Sequence, residues 1–381
     1  MKDKGKTAYL VLEDGTKIKG NSFGAEKISV SGEIVFNTAM NGYPESLTDP
    51  SYKGQILVMT SAVIGNYGIP KSTVIEEIEA FFESSKIQIK GLIINYYSEK
   101  FSHWNAEKDL SSWLKENNIP ALCDVDTRMI AKILREKGNQ RGKIIFEKNI
   151  PFDDSLENNL VEEVSIKEVK IYKPSRILPN EKNIEKSKVE DSFHNLSPKK
   201  VVIIDCGVKN NIIRNLLKRN IEIIRVPWNF DFNTIEYDGL FISNGPGDPQ
   251  NCDVTIRNIQ KAMVKNKPIF GICLGNQLLA IAAGAKTYRL KYGHRGHNQP
   301  IRQLGTNKCF ITVQNHGYVV DERTLPEDWE QSFININDGT CEGIKHKTKP
   351  FSSVQFHPEA NGGPWDTEFL FDNFVRELYV E

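Results

Sequence analysis

The chain has no excess of either charge: 49 Lys and Arg offset 49 Asp and Glu, for a formal net charge of zero. General nucleic-acid binding needs a concentrated positive field, so that class is set aside. No two of the six cysteines (Cys123, Cys206, Cys252, Cys273, Cys309, Cys341) form a CxxC pair. That spacing speaks against a zinc ribbon or a disulfide framework and fits a reducing, cytoplasmic setting. Long apolar runs are missing as well. After MKDKGK the apolar stretch Ala8 to Leu12 ends at Glu13 and Asp14, short of the ~7–15 residues of a secretory core. Gly271 to Ala285 is interrupted by Asn276 and Gln277, short of the ~18 consecutive apolar residues of a spanning helix. There is no P-loop G-x-x-x-x-G-K-[ST], and GPGDP lacks the G-x-G-x-x-G spacing of a dinucleotide site. The expectation is a protein without membrane, nucleic acid or its own ATP site.

What is present is ordinary core-forming material. Hydrophobic residues make up 39% and charged residues 26%, which excludes global disorder. At ~150 residues per domain, 381 residues suggest two domains or three. Residues 1–150 mix β-rich runs with Gly and Pro turns. AYLVLEDGTKIKG reads as a hairpin turning at Asp14-Gly15, and EIVFNT, QILVMTSAVI and KGLIINYY as further strands. DLSSWLKENN and RMIAKILREKG have helical spacing, with Asp109 and Asp126 or Thr127 as N-caps and Gly138 as a stop. Residues 151–198 carry mixed charge, and NEKNIEKSKVEDSFHNLSPKK has no apolar period. They read as an exposed linker.

From 199 to 381 strands and helices alternate: KKVVIIDCG, a helix over 209–219, IEIIRVPW, GLFISNGPGDP, the helix TIRNIQKAMVKN, KPIFGICLG and the helix NQLLAIAAG. This pattern predicts an α/β fold with a doubly wound parallel sheet, and sites in such sheets lie at the carboxyl ends of the strands. Three polar motifs fall there. GICLG is a G-x-C-x-G elbow that leaves Cys273 at a strand-to-helix turn, where a helix N-terminus favours thiolate and the Leu274 N–H faces a developing oxyanion. A buried structural cysteine is the plainer alternative. VQFHPEA reads as a strand over 351–356 ending in His357 and Glu359, which in extended chain point to one side, so that the carboxylate can orient the imidazole. A capping histidine beside a surface glutamate is the plainer alternative there. SNGPGDP offers the backbone around Gly245 and Gly247 as a cradle or oxyanion hole, or an ordinary tight turn. Gln277, on the first turn after Cys273, suits amide recognition. His294 and His297 form H-x-x-H, but no carboxylate is near in sequence for a third ligand, so no metal is expected.

The elbow cysteine, upstream glycine cradle and late His-Pro-Glu, in that order, resemble the class I (triad-type) glutamine amidotransferases, and residues 199–381 look like their flavodoxin-like catalytic domain. IDCGVKNNIIRNL, GHRGHNQP, QNHGY and HPEANGGPWD narrow the likeness to the small, amidotransferase subunits of carbamoyl-phosphate synthases. LEDGTKIKGNSFGA, GEIVFNTAMNGYPESLTDPSYKGQ, IGNYGIP and DVDTRMIAKILREKG are similar to the mixed β/α N-terminal domain of those subunits. The resemblance implies Cys273 as nucleophile, His357 as proton carrier and Glu359 as its orienting carboxylate. It implies oxyanion N–H groups from Gly245 and Leu274, and L-glutamine contacts from Ser51, Gly247, Gln277, Asn315, Gly317 and Tyr318. It also implies delivery of ammonia through a tunnel to a large synthetase subunit that holds ATP and Mg²⁺ and uses bicarbonate, with no cofactor on this chain. Two departures stand out: Asn276 where many relatives carry histidine, and Tyr318, often phenylalanine. An amidotransferase for another synthetase, a non-catalytic regulatory subunit and a cysteine hydrolase are the competing readings.

Overall fold

The computed structural model describes residues 6–153, 158–174, 193 and 196–380. The chain divides into two compact units, one of Met1–Val74 with Phe81–Leu160, the other of Ile75–Ala80 with Val161–Glu381. Most of the charged stretch 178–198 lies outside the described residues. The preceding part, read from sequence as linker, is built into the second unit: a helix Leu160–Val164 leads to a strand Lys170–Tyr172 that pairs antiparallel with Ile221–Pro227. Three residues of strand on a sheet edge give too short an alternation to be legible in sequence.

The first unit is a closed seven-stranded barrel. Its strands are β1 (Thr7–Leu12), β2 (Lys17–Ser22), β3 (Val30–Asn37), β4 (Gln55–Met59), β5 (Gly91–Ile94), β6 (Ala121–Cys123) and β7 (Gln140–Ile145). The order is β1-β7-β3-β4-β5-β6-β2, closing back on β1. The β1–β2 hairpin turns at Gly15 with φ 88°, as the Asp-Gly pair predicts. Strand residues alternate between two buried faces. Val35, Leu57, Met59, Leu92 and Ile94 pack with Tyr43, Leu47, Leu110 and Leu114 of the surrounding helices. Ile34 and Ile144 point the other way, where Gly142 and Gly91 leave the room: a Cβ on Gly91 would stand 2.7 Å from Ile144 Cδ1, and one on Gly142 would overlap Ile34. Helices Leu110–Glu116 and Thr127–Lys137 start at Asp109 and Asp126, whose carboxylates accept from Ser112 N and Met129 N, and the second stops at Gly138 with φ 91°.

The second unit is built on one ten-stranded sheet. Its strands are β8 (Lys170–Tyr172), β9 (Lys199–Asp205), β10 (Ile221–Pro227), β11 (Gly239–Ile242), β12 (Ile269–Ile272), β13 (Lys286–Gln303), β14 (Cys309–Asp321), β15 (Trp329–Asn335), β16 (Cys341–His346) and β17 (Phe351–Val354). The order is β8-β10-β9-β11-β12-β17-β16-β15-β13-β14. The five neighbours β10-β9-β11-β12-β17 are mutually parallel, and their order of second, first, third, fourth, fifth is the flavodoxin-like doubly wound arrangement. Along β9, Val202 and Ile204 face one core while Val201 and Ile203 face the other, which is why the strand reads as an unbroken apolar run. Helices Asp253–Val264 and Leu274–Ala283 cover the first core, Asn210–Lys218 and Phe369–Glu377 the second. The alternating pattern stops at 285. Residues 286–346 add four antiparallel strands, led by the long hairpin β13–β14.

Candidate active site

The site lies at the carboxyl ends of the parallel strands of the second unit. β12 ends at Ile272 and the next helix begins at Leu274, so Cys273 alone makes the turn, at φ 56° and ψ −104°. A left-handed φ in a non-glycine residue costs about 1–3 kcal/mol and persists only where the surroundings enforce it. The flanking glycines show the enforcement. A Cβ on Gly271 would stand 2.6 Å from the Gly275 carbonyl oxygen, and one on Gly275 would overlap the Ile242 carbonyl. The G-x-C-x-G spacing therefore lets the helix start press onto β11 and β12. Cys273 N donates to Val354 O at 2.8 Å, and the buried Sγ lies 3.6 Å from the Asn315 carbonyl.

His357 reaches this sulfur by a route slightly different from the one its sequence suggests. The strand stops at Val354, and His357 continues as a single bridge to Val313, its N–H donating to Val313 O at 2.9 Å. A turn then brings Ala360 N to His357 O at 3.2 Å, with Ala360 at φ 50°. Glu359 meets His357 within this turn rather than across extended chain, its Oε1 2.6 Å from Nδ1. Nε2 is buried, and the Cys273 sulfur is its partner, by hydrogen bond and by charge. Burial pushes His357 down, but the Glu359 carboxylate and the Cys273 sulfur prevail and raise its pKa to about 10. Burial pushes Glu359 up, and Lys209 first, then His357, bring it down to about 2. At neutral pH the pair is an imidazolium on a carboxylate.

Lys209 was not singled out by its sequence. Its Nζ stands 3.0 Å from Glu359 Oε1 and 3.2 Å from the Ala360 carbonyl, with both ionic groups buried. It lies in the turn after β9, and Asp205 pins that turn: Oδ1 accepts from Gly207 N at 2.9 Å and Val208 N at 2.8 Å. Oδ2 accepts from Ile166 N at 2.8 Å and from Arg225 Nη2 at 2.7 Å. Asn211 also donates its amide to the Glu359 carbonyl. The available signal was position, since VKNN follows the end of the first parallel strand as SNGPGDP and GICLGNQ follow the third and fourth.

The other site residues fall as follows. Gly245 lies against the elbow: a Cβ there would overlap the Cys206 carbonyl and stand 2.9 Å from Leu274 Cδ2. Gly247 takes φ 87°, open to glycine. Gln277 Nε2 donates to the Tyr318 carbonyl at 2.8 Å and to Gln355 Oε1 at 3.2 Å, so its amide nitrogen is engaged by the protein itself. Asn315, Gly317 and Tyr318 lie on β14, the first and last with carbonyls on Cys273 and Gln277. Asn276 is fully buried, donating to Gln355 Oε1 at 3.1 Å and accepting from Ser353 Oγ at 2.9 Å. It ties the elbow helix to the β17 segment. Ser51 belongs to the first unit, buried in the 3-10 turn Pro50–Tyr52 with its N–H on Asp49 Oδ1 at 2.8 Å.

His294 and His297 take different partners. His297 contacts Gly362 and feels Lys209 and His357, and burial takes it down to about 4. His294 pairs instead with Asp338. Among the described residues, no helix is long and apolar enough to cross a membrane.

Known proteins are similar in sequence to this chain along nearly its whole length. Residues 202–377 match the family described as glutamine amidotransferase class-I, and residues 10–144 the carbamoyl-phosphate synthase small chain, CPSase domain. The chain is 48% identical over 376 residues to "Carbamoyl-phosphate synthase [ammonia], mitochondrial" of Homo sapiens, covering 97% of this chain and 24% of that protein. It is 50% identical over 391 residues to "Multifunctional protein pyr1-3" of Dictyostelium discoideum, covering 99% and 17%. It is 50% identical over 376 residues to "Multifunctional protein CAD" of Squalus acanthias, covering 97% and 16%. The chain thus spans about a quarter or less of these relatives. With both domain types matched in order, the chain is a carbamoyl-phosphate synthase small-chain CPSase domain followed by a class-I glutamine amidotransferase domain.

Proposed function

We propose that this chain hydrolyses L-glutamine and supplies the ammonia to a large synthetase polypeptide that makes carbamoyl phosphate from bicarbonate and ATP. The observation that carries the reading is the buried Cys273 sulfur facing a histidine whose other nitrogen is held by Glu359. The sulfur attacks the side-chain amide carbon of glutamine. The amide oxygen becomes an oxyanion, stabilised by the N–H groups of Leu274 and Gly245. His357 gives its Nε2 proton to the amide nitrogen, and the C–N bond breaks to release ammonia. Neutral His357 then takes a proton from water as that water attacks the thioester, glutamate leaves, and Cys273 is restored. Glu359 holds the imidazole by Nδ1 throughout and stabilises its charged form.

Ser51, Gly247, Gln277, Asn315, Gly317 and Tyr318 are proposed to bind glutamine, the last three through the backbone of β14. ATP and Mg²⁺ belong to the synthetase polypeptide, and ammonia passes to it through a protein tunnel, because free ammonia in water would be protonated and lost. The setting proposed is cytoplasmic, in arginine or pyrimidine synthesis. One relative bears ammonia in its name, and here the intact Cys273 favours glutamine as nitrogen source.

The test is covalent trapping with a diazo-ketone analogue of glutamine, followed by peptide mapping, alongside glutaminase assays with and without an added synthetase. The expected result is one label, on Cys273, and glutamine hydrolysis that rises with the synthetase. Labelling elsewhere, or hydrolysis of peptides in preference to glutamine, overturns the proposal.

A further inference from the structure

We propose that His294, His316 and Glu342 form a binding site for one divalent transition-metal ion, with Zn²⁺ the best match to the donor set. Cross-strand pairing makes the site. His294 on β13 lies opposite His316 on β14, with ring centroids 4.9 Å apart at 80°. Glu342 arrives from β16, and one donor atom from each of the three lies within 4.8 Å of the others. Tetrahedral Zn²⁺ with bonds of ~2.0–2.2 Å puts its donor atoms about 3.3 Å apart. His294 Nδ1 and Glu342 Oε1 already stand at 3.5 Å, which is long for a hydrogen bond and right for two ligands of one ion.

The outer partners turn the ligating atoms inward. His294 Nε2 is 2.8 Å from Asp338 Oδ2, so its N–H points outward to a carboxylate and Nδ1 points inward. His316 Nδ1 is 3.0 Å from the Tyr318 carbonyl. A carbonyl only accepts, so Nδ1 carries the hydrogen and Nε2 the lone pair. In that tautomer Nε2 meets Gln314 Oε1 at 3.3 Å, acceptor against acceptor, a contact that a bound cation relieves. Glu342 Oε1 accepts from Asn335 Nδ2 at 3.0 Å. Metal-bound histidines characteristically give their second N–H to a carboxylate or carbonyl, and both do so here. Inside the cluster Glu342 Oε2, on a fully buried side chain, has no hydrogen-bond partner, and His294 Nδ1 has the long 3.5 Å approach to Glu342 Oε1. A buried carboxylate oxygen without a donor is costly, and a dication at this point supplies what that oxygen lacks. Three protein ligands leave the fourth position for water or a small anion.

The site adjoins the candidate active site through the backbone. His316 follows Asn315, whose carbonyl faces the Cys273 sulfur, and the Tyr318 carbonyl that holds His316 also holds Gln277. A bound ion would fix residues 315–318 against the thiol. The proposal does not depend on the glutaminase reading, since its evidence is the donor cluster alone.

The test uses the full chain carrying Cys273→Ser, which removes the neighbouring thiol, stripped with EDTA and titrated with Co²⁺. Expected are one Co²⁺ per chain, d–d absorption of a tetrahedral nitrogen and oxygen site, no thiolate-to-cobalt band, and displacement by Zn²⁺. Glu342→Gln, nearly isosteric, should weaken binding at least 100-fold, and Asp338→Asn by about 10–100-fold as an outer partner. Circular dichroism checks that each variant is folded, and Glu342→Gln decides should His294→Ala not fold. Absence of stoichiometric Co²⁺, a thiolate band, or affinity unchanged in folded Glu342→Gln overturns the site and leaves the His294–Glu342–Asp338 cluster as a proton-bridged structural network.

Discussion

Replacing Lys209 by methionine tests the electrostatics beneath the triad. The substitution keeps the length and apolar stem of the side chain and removes one buried charge, 3.0 Å from Glu359 Oε1. Two routes give its size. Deleting one partner of a buried ion pair costs ~3–5 kcal/mol, because the other charge is left without compensation. Independently, the fall of Glu359 from 4.5 to about 2 is worth about 3–4 kcal/mol, at ~1.4 kcal/mol per pH unit, with Lys209 the larger and His357 the smaller lowering partner. The expected loss in the second unit is therefore about 2–4 kcal/mol at neutral pH. The sign with pH follows from linkage. A carboxylate depressed in the folded state contributes stability above its unfolded pKa, near 4.5, and loses it as pH falls toward about 2. The gap between the two proteins should be full at neutral pH and narrow as pH falls below about 4.5. Urea unfolding followed by tryptophan fluorescence measures it, Trp329 being buried in that unit's core. With Glu359 easier to protonate, the acid limb of kcat/KM for glutamine should also move to higher pH. An unfolding midpoint equal to that of the parent, with an unmoved acid limb, refutes the argument.

Other outcomes follow from single residues. Cys273→Ser should abolish glutamine hydrolysis and analogue labelling while leaving the unfolding midpoint within about 1 kcal/mol, since serine keeps the shape of the elbow; residual turnover near the parent's would remove the nucleophile assignment. Gly275→Ala puts a methyl onto the Ile242 carbonyl and should cost about 1–3 kcal/mol by overpacking, with activity lost through displacement of Cys273, read by urea titration and glutaminase assay together. Asp205→Ala removes the acceptor of four groups and strands the guanidinium of Arg225, for a loss of about 3–5 kcal/mol measured by the same titration. Asp126→Ala removes the cap on Met129 N and should cost the first unit about 1 kcal/mol, with no change in glutaminase rate.

Local chemistry was written plainly in the chain. The Asp14-Gly15 turn, the caps at Asp109 and Asp126, the stop at Gly138 and the glycine-flanked Cys273 each depend on a backbone conformation that few residues favour, so a handful of letters sufficed. The parallel core strands were legible because burial on both faces makes them continuously apolar. Less visible was the hairpin 286–321, whose residues are mostly partly buried or exposed and follow no clean alternation. Its bulges between Arg289 and His294 and between Gly296 and Gln299 break the two-residue period further. The tight approach of Glu359 to His357 was expected from extended chain, and a turn after Val354 brings it about instead.

Sequence alone determined which residues could do chemistry and at which strand ends they would stand, because elbow, cradle and His-Pro-Glu are local constraints on the backbone. Only the tertiary structure decided that Lys209, 150 residues before Glu359, becomes its counter-ion. The same holds for His294, which finds its carboxylates at Asp338 and Glu342 rather than within its own loop. Charge pairing across a sheet depends on strand order and register, and these arise from packing summed over the whole core, which no short stretch of chain encodes.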